Sequence, residues 1–272
     1  EQDSTRRMLV DMTAPAVLPM VVPSLGAAAL GIRVAACRLV RSLSRSVSIL
    51  RTSLVDAGAA TRLIAILKDD SEPDIVKTEV IATICNLALK FSPMKQLLIS
   101  SGGLKRLVDC ATHEKYEGIR LNALWALKNV LYSSDTETKT TVAEALTFDF
   151  MAALIQDKSS AIQEQTLNIV RNLASSREAD IDLTIKGFGE ERLFDLLESV
   201  IWARGEDVVT EHAAYILVNI ATGSEEHRRS IINRPNLLDA LLYFLQHPRA
   251  HIRDAGIWCA INLTFRQPNA AG

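Results

Sequence analysis

The side chains with the clearest chemical pattern are asparagines. Trp125/Asn129 and Trp258/Asn262 share a W-x-x-x-N spacing, and Tyr215/Asn219 is a close variant. On a helix, residues four apart lie on one face. An Asn carboxamide can donate to and accept from the main chain of an extended peptide whatever its sequence, while flanking aromatics form pockets for its side chains. The chemistry offered is recognition of a chain. A lone asparagine more often ties one helix to another, and a lone tryptophan more often belongs to a core. An aligned row with aromatics four residues before it favours a groove.

Catalytic candidates do not assemble in the same way. His113, His212, His227, His247 and His251 are scattered; His247 and His251 are four apart, but Pro248 breaks a helix between them and no HExxH surrounds them. Cys37, Cys85, Cys110 and Cys259 include no CxxC and no close pair, which fits neither a zinc site nor a disulfide framework and points to reduced, buried thiols. No histidine recurs beside Cys85 or Cys259 to activate a thiolate. Gly187-Phe188-Gly189 lacks the third glycine of a dinucleotide loop and reads as a turn, and the sequon Asn262-Leu263-Thr264 falls within a helix. Neither an enzyme, a metal site nor a cofactor is expected.

The elements that position these residues follow from an internal repeat. VKTEVIATICN, IRLNALWALKN, IQEQTLNIVRN, VTEHAAYILVN and IRDAGIWCAIN align without gaps on Asn86, Asn129, Asn172, Asn219 and Asn262, which are 43, 43, 47 and 43 residues apart. A sixth copy, IRVAACRLVRS, ends at Ser42. Three rows recur at helical spacing: six residues before the Asn (Ala36, Val80, Ala123, Thr166, Ala213, Gly256), five before it (Cys37, Ile81, Leu124, Leu167, Ala214, Ile257) and one after it (Leu43, Leu87, Val130, Leu173, Ile220, Leu263). They mark one buried stripe, with the small row placed where helices of adjacent layers approach. Two shorter apolar stretches around a glycine or turn precede most copies, as in KQLLISSGG then LKRLVDCATH. The fourth copy has TVAEALTFDF in place of the glycine, so its turn should be built differently.

Three helices per repeat of about 43 residues is the armadillo layout. The expected fold is all-α, a right-handed α-solenoid of about six armadillo repeats forming a single domain over 1–272, with approximate repeats 1–47, 48–92, 93–135, 136–178, 179–224 and 225–272. The Asn face then lines a concave groove. Its partner-binding residues are expected to be Trp125, Asn129, Asn168, Asn172, Tyr215, Asn219, Trp258 and Asn262. Flanking rows carry few acidic residues, which disfavours a basic nuclear-import signal as ligand; Lys128 and Arg171 lean towards a neutral or acidic peptide, or a C-terminal carboxylate.

Composition narrows the partners further. Of 272 residues, 48% are apolar and 23% charged, and 30 Lys and Arg against 32 Asp and Glu leave a net charge of -2. With no global field to attract polyanions, protein partners are expected, and neither nucleic acid nor a membrane. The uncharged run Met12–Ile32 is interrupted by Pro15, Pro19, Pro23, Gly26 and Gly31 and does not read as a signal sequence or membrane span. Glu1 in place of Met reads as the start of an excised piece of a longer protein.

CNLALKFSPMKQLLISSGGLKRL, IRLNALWALKNVLYSSDTETKTTVAEALT, IQEQTLNIVRNLAS, ILVNIATG and WCAINLTF, spread over about residues 75–265, resemble the C-terminal half of the armadillo repeat-containing protein 8 family, the armadillo subunit of the GID/CTLH E3 ubiquitin ligase. Residues 1–60 match only as a generic repeat. The resemblance implies a non-catalytic scaffold, cytoplasmic and nuclear, that docks a substrate receptor through its C-terminal tail and serves regulated protein degradation. The groove carried over would include Trp258, Asn262, Tyr215, Asn219 and Asn172, and the part that contacts the ligase core is expected to lie outside this chain. A nuclear-import adaptor and a catenin-like adaptor are the alternatives.

Overall fold

The computed structural model describes residue 8 and residues 16–46, 53–89, 92–113, 115–175 and 177–265. Helices dominate, joined by turns and short irregular links, with no strand among the described residues. The chain divides into two compact units, Glu1–Ser133 and Ser134–Gly272.

In the first unit, α1 (Leu30–Ser46), α3 (Asp74–Leu87) and α6 (Glu117–Leu131) are the long helices that carry the repeated segments. Helix α3 packs between α1 and α6, while the shorter α2 (Ala59–Lys68) and α5 (Gly103–His113) cover α3 and α6, and α4 (Met94–Ser100) leads into α5. Residues 16–24 and 53–56 are also helical, which places part of the Met12–Ile32 run in a helix; residues 9–15 lie outside the described residues. The second unit repeats the plan. Its long helices are α9 (Ser160–Leu173), α12 (Asp207–Ala221) and α15 (Ala250–Thr264), with α12 packed between the other two. Each is preceded by a pair, α7 (Thr136–Leu146) and α8 (Phe148–Ile155), α10 (Glu178–Phe188) and α11 (Glu190–Trp202), and α13 (Glu225–Ile232) and α14 (Pro235–Leu245). No helix among the described residues is long and apolar enough to cross a membrane.

The 47-residue spacing has a local origin. Helices α10 and α11 run 11 and 13 residues, against 11 and 8 for α7 and α8 in the preceding layer, and the extra length separates Asn172 from Asn219.

The turn joining the short helices depends on a backbone that L-residues avoid. Gly58, Gly102 and Gly189 occupy it with φ of 83°, 77° and 82°. In the fourth copy Thr147 takes the same left-handed φ, 61° with ψ 145°, and its side chain accepts a hydrogen bond from the Phe150 amide. The turn there follows Gly189 (ψ 130°) and not Gly58 (ψ 8°), with a strained β-branched residue and a side-chain cap in place of the glycine. Close by, a Cβ on Gly187 would stand 2.1 Å from the Phe148 ring, which packs edge-on against Phe188.

The buried stripe forms as expected over most of its length. Cys37, Ile81, Leu124 and Leu167 are fully buried, as are Leu87, Val130, Leu173 and Ile220. Ile257, on the same row, departs from this pattern at 48% exposed. That row faces the next layer, and no helix among the described residues follows α15 to cover it. The small row is explained differently from the expectation at Gly256, where an added Cβ would meet Phe244 and Leu245 of α14, so the close approach there is within the layer.

One polar feature of the second unit's core elaborates a repeated one, since Lys95 in the first unit is also buried and donates to the Tyr132 carbonyl at 2.6 Å. Lys139 is fully buried and donates to Asp180 Oδ2 at 2.7 Å and to Ser175 Oγ at 3.2 Å, while Thr136 Oγ1 donates to Asp180 Oδ1 at 2.7 Å. Both carboxylate oxygens are engaged, so the buried pair clamps α7 to α10 and to the end of α9.

Candidate functional site

The long helices present the Asn row on one face in each unit, and the carboxamides of Asn86, Asn129, Asn219 and Asn262 each have a defined tie. In the first unit Asn86 Nδ2 donates to Ser44 Oγ at 3.1 Å, and Asn129 Nδ2 donates to the carbonyl of Cys85 at 2.8 Å. In the second, Asn219 Nδ2 donates to the Arg171 carbonyl at 2.9 Å and Asn262 Nδ2 to that of Val218 at 3.2 Å. These carbonyls belong to the long helix of the preceding layer, so the row fastens layer to layer. A carboxamide has a second N–H and an oxygen beyond the tie. At Asn129 little of either reaches solvent, because the residue is only 6% exposed.

The aromatics four residues earlier are placed differently. Trp125 is 45% exposed and Trp258 55%. Lys128 Nζ lies 5.1 Å from the Trp125 ring centroid. Tyr215 is covered by the Arg171 guanidinium, stacked 3.9 Å from its centroid. Arg171 Nη1 also contacts His212 Nδ1 at 3.4 Å, and Asn168 Nδ2 lies 3.4 Å from His212 Nε2. A guanidinium can only donate, so the His212 ring nitrogen facing Arg171 is on the accepting side of that contact. Asn172 is half-buried one turn from Asn168.

Arg171 is the electrostatic centre of this second-unit face. Burial pulls its pKa down from the ordinary arginine value, while Tyr215 and the Glu211 carboxylate, acting at longer range than a direct ion pair, oppose that fall. A partly desolvated cation held flat against an aromatic ring is a seat for an incoming carboxylate. The first-unit face differs, since its one acidic member, Glu79, is bound by both Arg38 (3.0 Å) and Arg41 (3.0 Å). Sequence spacing placed these residues on one face but could not show the Arg171–Tyr215 stack or the buried His212, because their partners come from helices 41 to 44 residues apart.

The cysteines have the opposite character. All four are buried thiols outside any disulfide, and burial pushes the Cys37 thiol up to about 11 and those of Cys85 and Cys259 to about 12. His247 accepts from the Arg249 amide through Nδ1 at 3.2 Å, in the break between α14 and α15. Among the described residues no three His, Cys, Asp or Glu side chains are grouped to hold a metal ion.

Comparison with known proteins shows what this chain is similar to. Residues 105–200 match the model of the VID28/GID5 C-terminal domain. Those residues are similar to that family's domain. The VID28/GID5 relationship extends along most of the chain: GID complex subunit 5 of Schizosaccharomyces pombe is 31% identical over 238 residues, covering 87% of this chain and 29% of that protein. Armadillo repeat-containing protein 8 of Xenopus laevis is 28% identical over 265 residues, 97% of this chain and 36% of that one. The chain thus spans about a third of the length of these relatives. A solved designed armadillo repeat protein in complex with the peptide (KR)4 superposes with a TM-score of 0.78 at 23% identity, covering 90% of this chain and 99% of that one, which establishes the armadillo fold.

Proposed function

We propose that this chain is part of a non-catalytic armadillo scaffold in a GID/CTLH-type E3 ubiquitin ligase, docking a substrate receptor and so supporting regulated protein degradation in cytoplasm and nucleus. The relationship to GID complex subunit 5 supports the complex, and the second-unit face supports the docking mode. The observation that carries it is Arg171, partly desolvated and stacked on Tyr215 beside Asn168, Asn172 and Asn219, with Glu211 acting on it only at longer range than a direct ion pair. A receptor tail ending in a free carboxylate would satisfy that cation, lay its main chain against the amides and its side chains against Trp258. In the first unit Trp125 offers the aromatic surface, and Asn129 acts through the layer it fastens. A basic import signal finds no free acidic ladder here, since Glu79 is already held by two arginines.

The test is co-purification of this 272-residue chain from an extract, wild type beside a Trp258→Ala/Tyr215→Ala double variant, with bound proteins identified by mass spectrometry. A GID/CTLH receptor recovered with the wild type and lost with the folded variant is the expected result. Recovery of nuclear cargo, or of the same proteins with both forms, overturns the reading.

A further inference from the structure

A second anion seat stands on the first unit, built from other residues and independent of the receptor's identity. Four residues before the Asn position the other layers carry Ala82, Trp125, Asn168, Tyr215 and Trp258, but α1 carries Arg38. Arg41 and Arg45 follow at three and seven residues, on the same side of the helix. From α3, Glu79 reaches between two of them: its Oε1 accepts from Arg38 Nε at 3.0 Å and its Oε2 from Arg41 Nη1 at 3.0 Å. With Ser42 these residues line an open pocket of about 310 Å³.

The division of labour inside the pocket defines its ligand. Glu79, with its side chain 12% exposed, is a positioning residue whose two oxygens hold two guanidiniums side by side. Arg38 spends Nε and keeps both terminal nitrogens, Arg41 spends Nη1 and keeps Nη2, and Arg45 stands exposed at the rim. Three arginines against one carboxylate leave two positive charges lining the pocket. A carboxylate would neutralise one charge through two oxygens. A phosphate monoester carries about two negative charges and three acceptor oxygens, one for each arginine fork.

We propose that the Arg38/Arg41/Arg45 pocket is a phosphate-recognition site that takes a phosphorylated side chain of a peptide lying along the long-helix face of the first unit. Phosphorylation of a partner segment would then switch its affinity for this scaffold, with Glu79 setting the geometry without touching the ligand.

The experiment uses the 15N-labelled 272-residue protein and three blocked peptides, Ala-Gly-X-Gly-Ala with X as phosphoserine, glutamate or serine. Arginine Nε–H resonances are followed by NMR and assigned with single Arg→Lys variants. Saturable shifts at Arg38, Arg41 and Arg45 with the phosphopeptide are expected, with the glutamate peptide at least roughly tenfold weaker and the serine peptide inert. An Arg38→Gln/Arg45→Gln variant should weaken the phosphopeptide by a similar factor. Both side chains are solvent-exposed, so its thermal midpoint should stay at the wild-type value. Arg229→Gln, in an exposed i,i+4 pair of the second unit, should leave binding unchanged. The proposal is overturned if the phosphopeptide produces no saturable shift, if glutamate binds as well as phosphoserine, or if Arg229→Gln weakens binding as much as the double variant.

Discussion

At the scale of single residues, the thiols show how burial removes a reactive group from chemistry. Cys85 and Cys259 sit one place and three places before their respective Asn positions on the binding-face helices, yet their thiols are held near 12 because a thiolate there would lose its hydration. At pH 8 the folded protein should therefore consume almost no thiol reagent, and all four cysteines should react once it is unfolded in denaturant. The sign of the pH dependence follows. The unfolded chain releases these protons from about 9, while the folded chain keeps them until about 11 for Cys37 and 12 for Cys85 and Cys259. Between those limits the unfolded state binds fewer protons, so stability is complete below pH 9 and falls as pH rises through the window. Denaturant midpoints from pH 8 to 11 check this: the fall should be smaller in a Cys85→Ala/Cys259→Ala variant, and an equal fall would assign it to other groups.

At the scale of elements, the turn between short helices makes a sharper prediction. Thr147 holds a conformation that costs a β-branched residue roughly 1 to 3 kcal/mol, against which its cap to Phe150 recovers about 1 kcal/mol. Thr147→Gly removes the strain and loses only a few tenths through the cap, offset by roughly 0.5 to 1 kcal/mol of extra chain entropy. Thr147→Ala keeps the strain and loses the cap. Thermal unfolding should rank glycine first, threonine next and alanine last; alanine at or above threonine would show that the cap contributes nothing. Gly187→Ala should cost about 1 to 3 kcal/mol by driving a methyl into the Phe148 ring, and Phe148→Leu in the same chain should recover part of it. The helices and their order were legible in the sequence because the Asn-anchored segments repeat a helical pattern at near-constant spacing. The conformation of Thr147 was not, since its residue type argues against the geometry the repeat imposes. The Lys139–Asp180 clamp and the Arg38–Glu79–Arg41 bridge were hidden for another reason, each joining residues 38 to 41 positions apart through packing that no local pattern encodes.

At the scale of the whole molecule, stability resides in layer-to-layer burial, because no layer can cover its own stripe. The same kind of residue should therefore have opposite energetic weight according to what stands beyond it. Leu127 on α6 is fully buried, and truncating it to alanine should cost about 2 to 5 kcal/mol. Ile257 is equally apolar and occupies the stripe row itself, yet at 48% exposed its truncation should fall within about 0.5 kcal/mol of wild type. A cooperative stack also spreads the first defect: α6 packs directly on α3, so Leu127→Ala should lower amide hydrogen-exchange protection in both helices of that unit. Loss confined to α6, or a Leu127→Ala midpoint matching that of Ile257→Ala, would show that the layers hold themselves and that the repeat is geometric without being energetic.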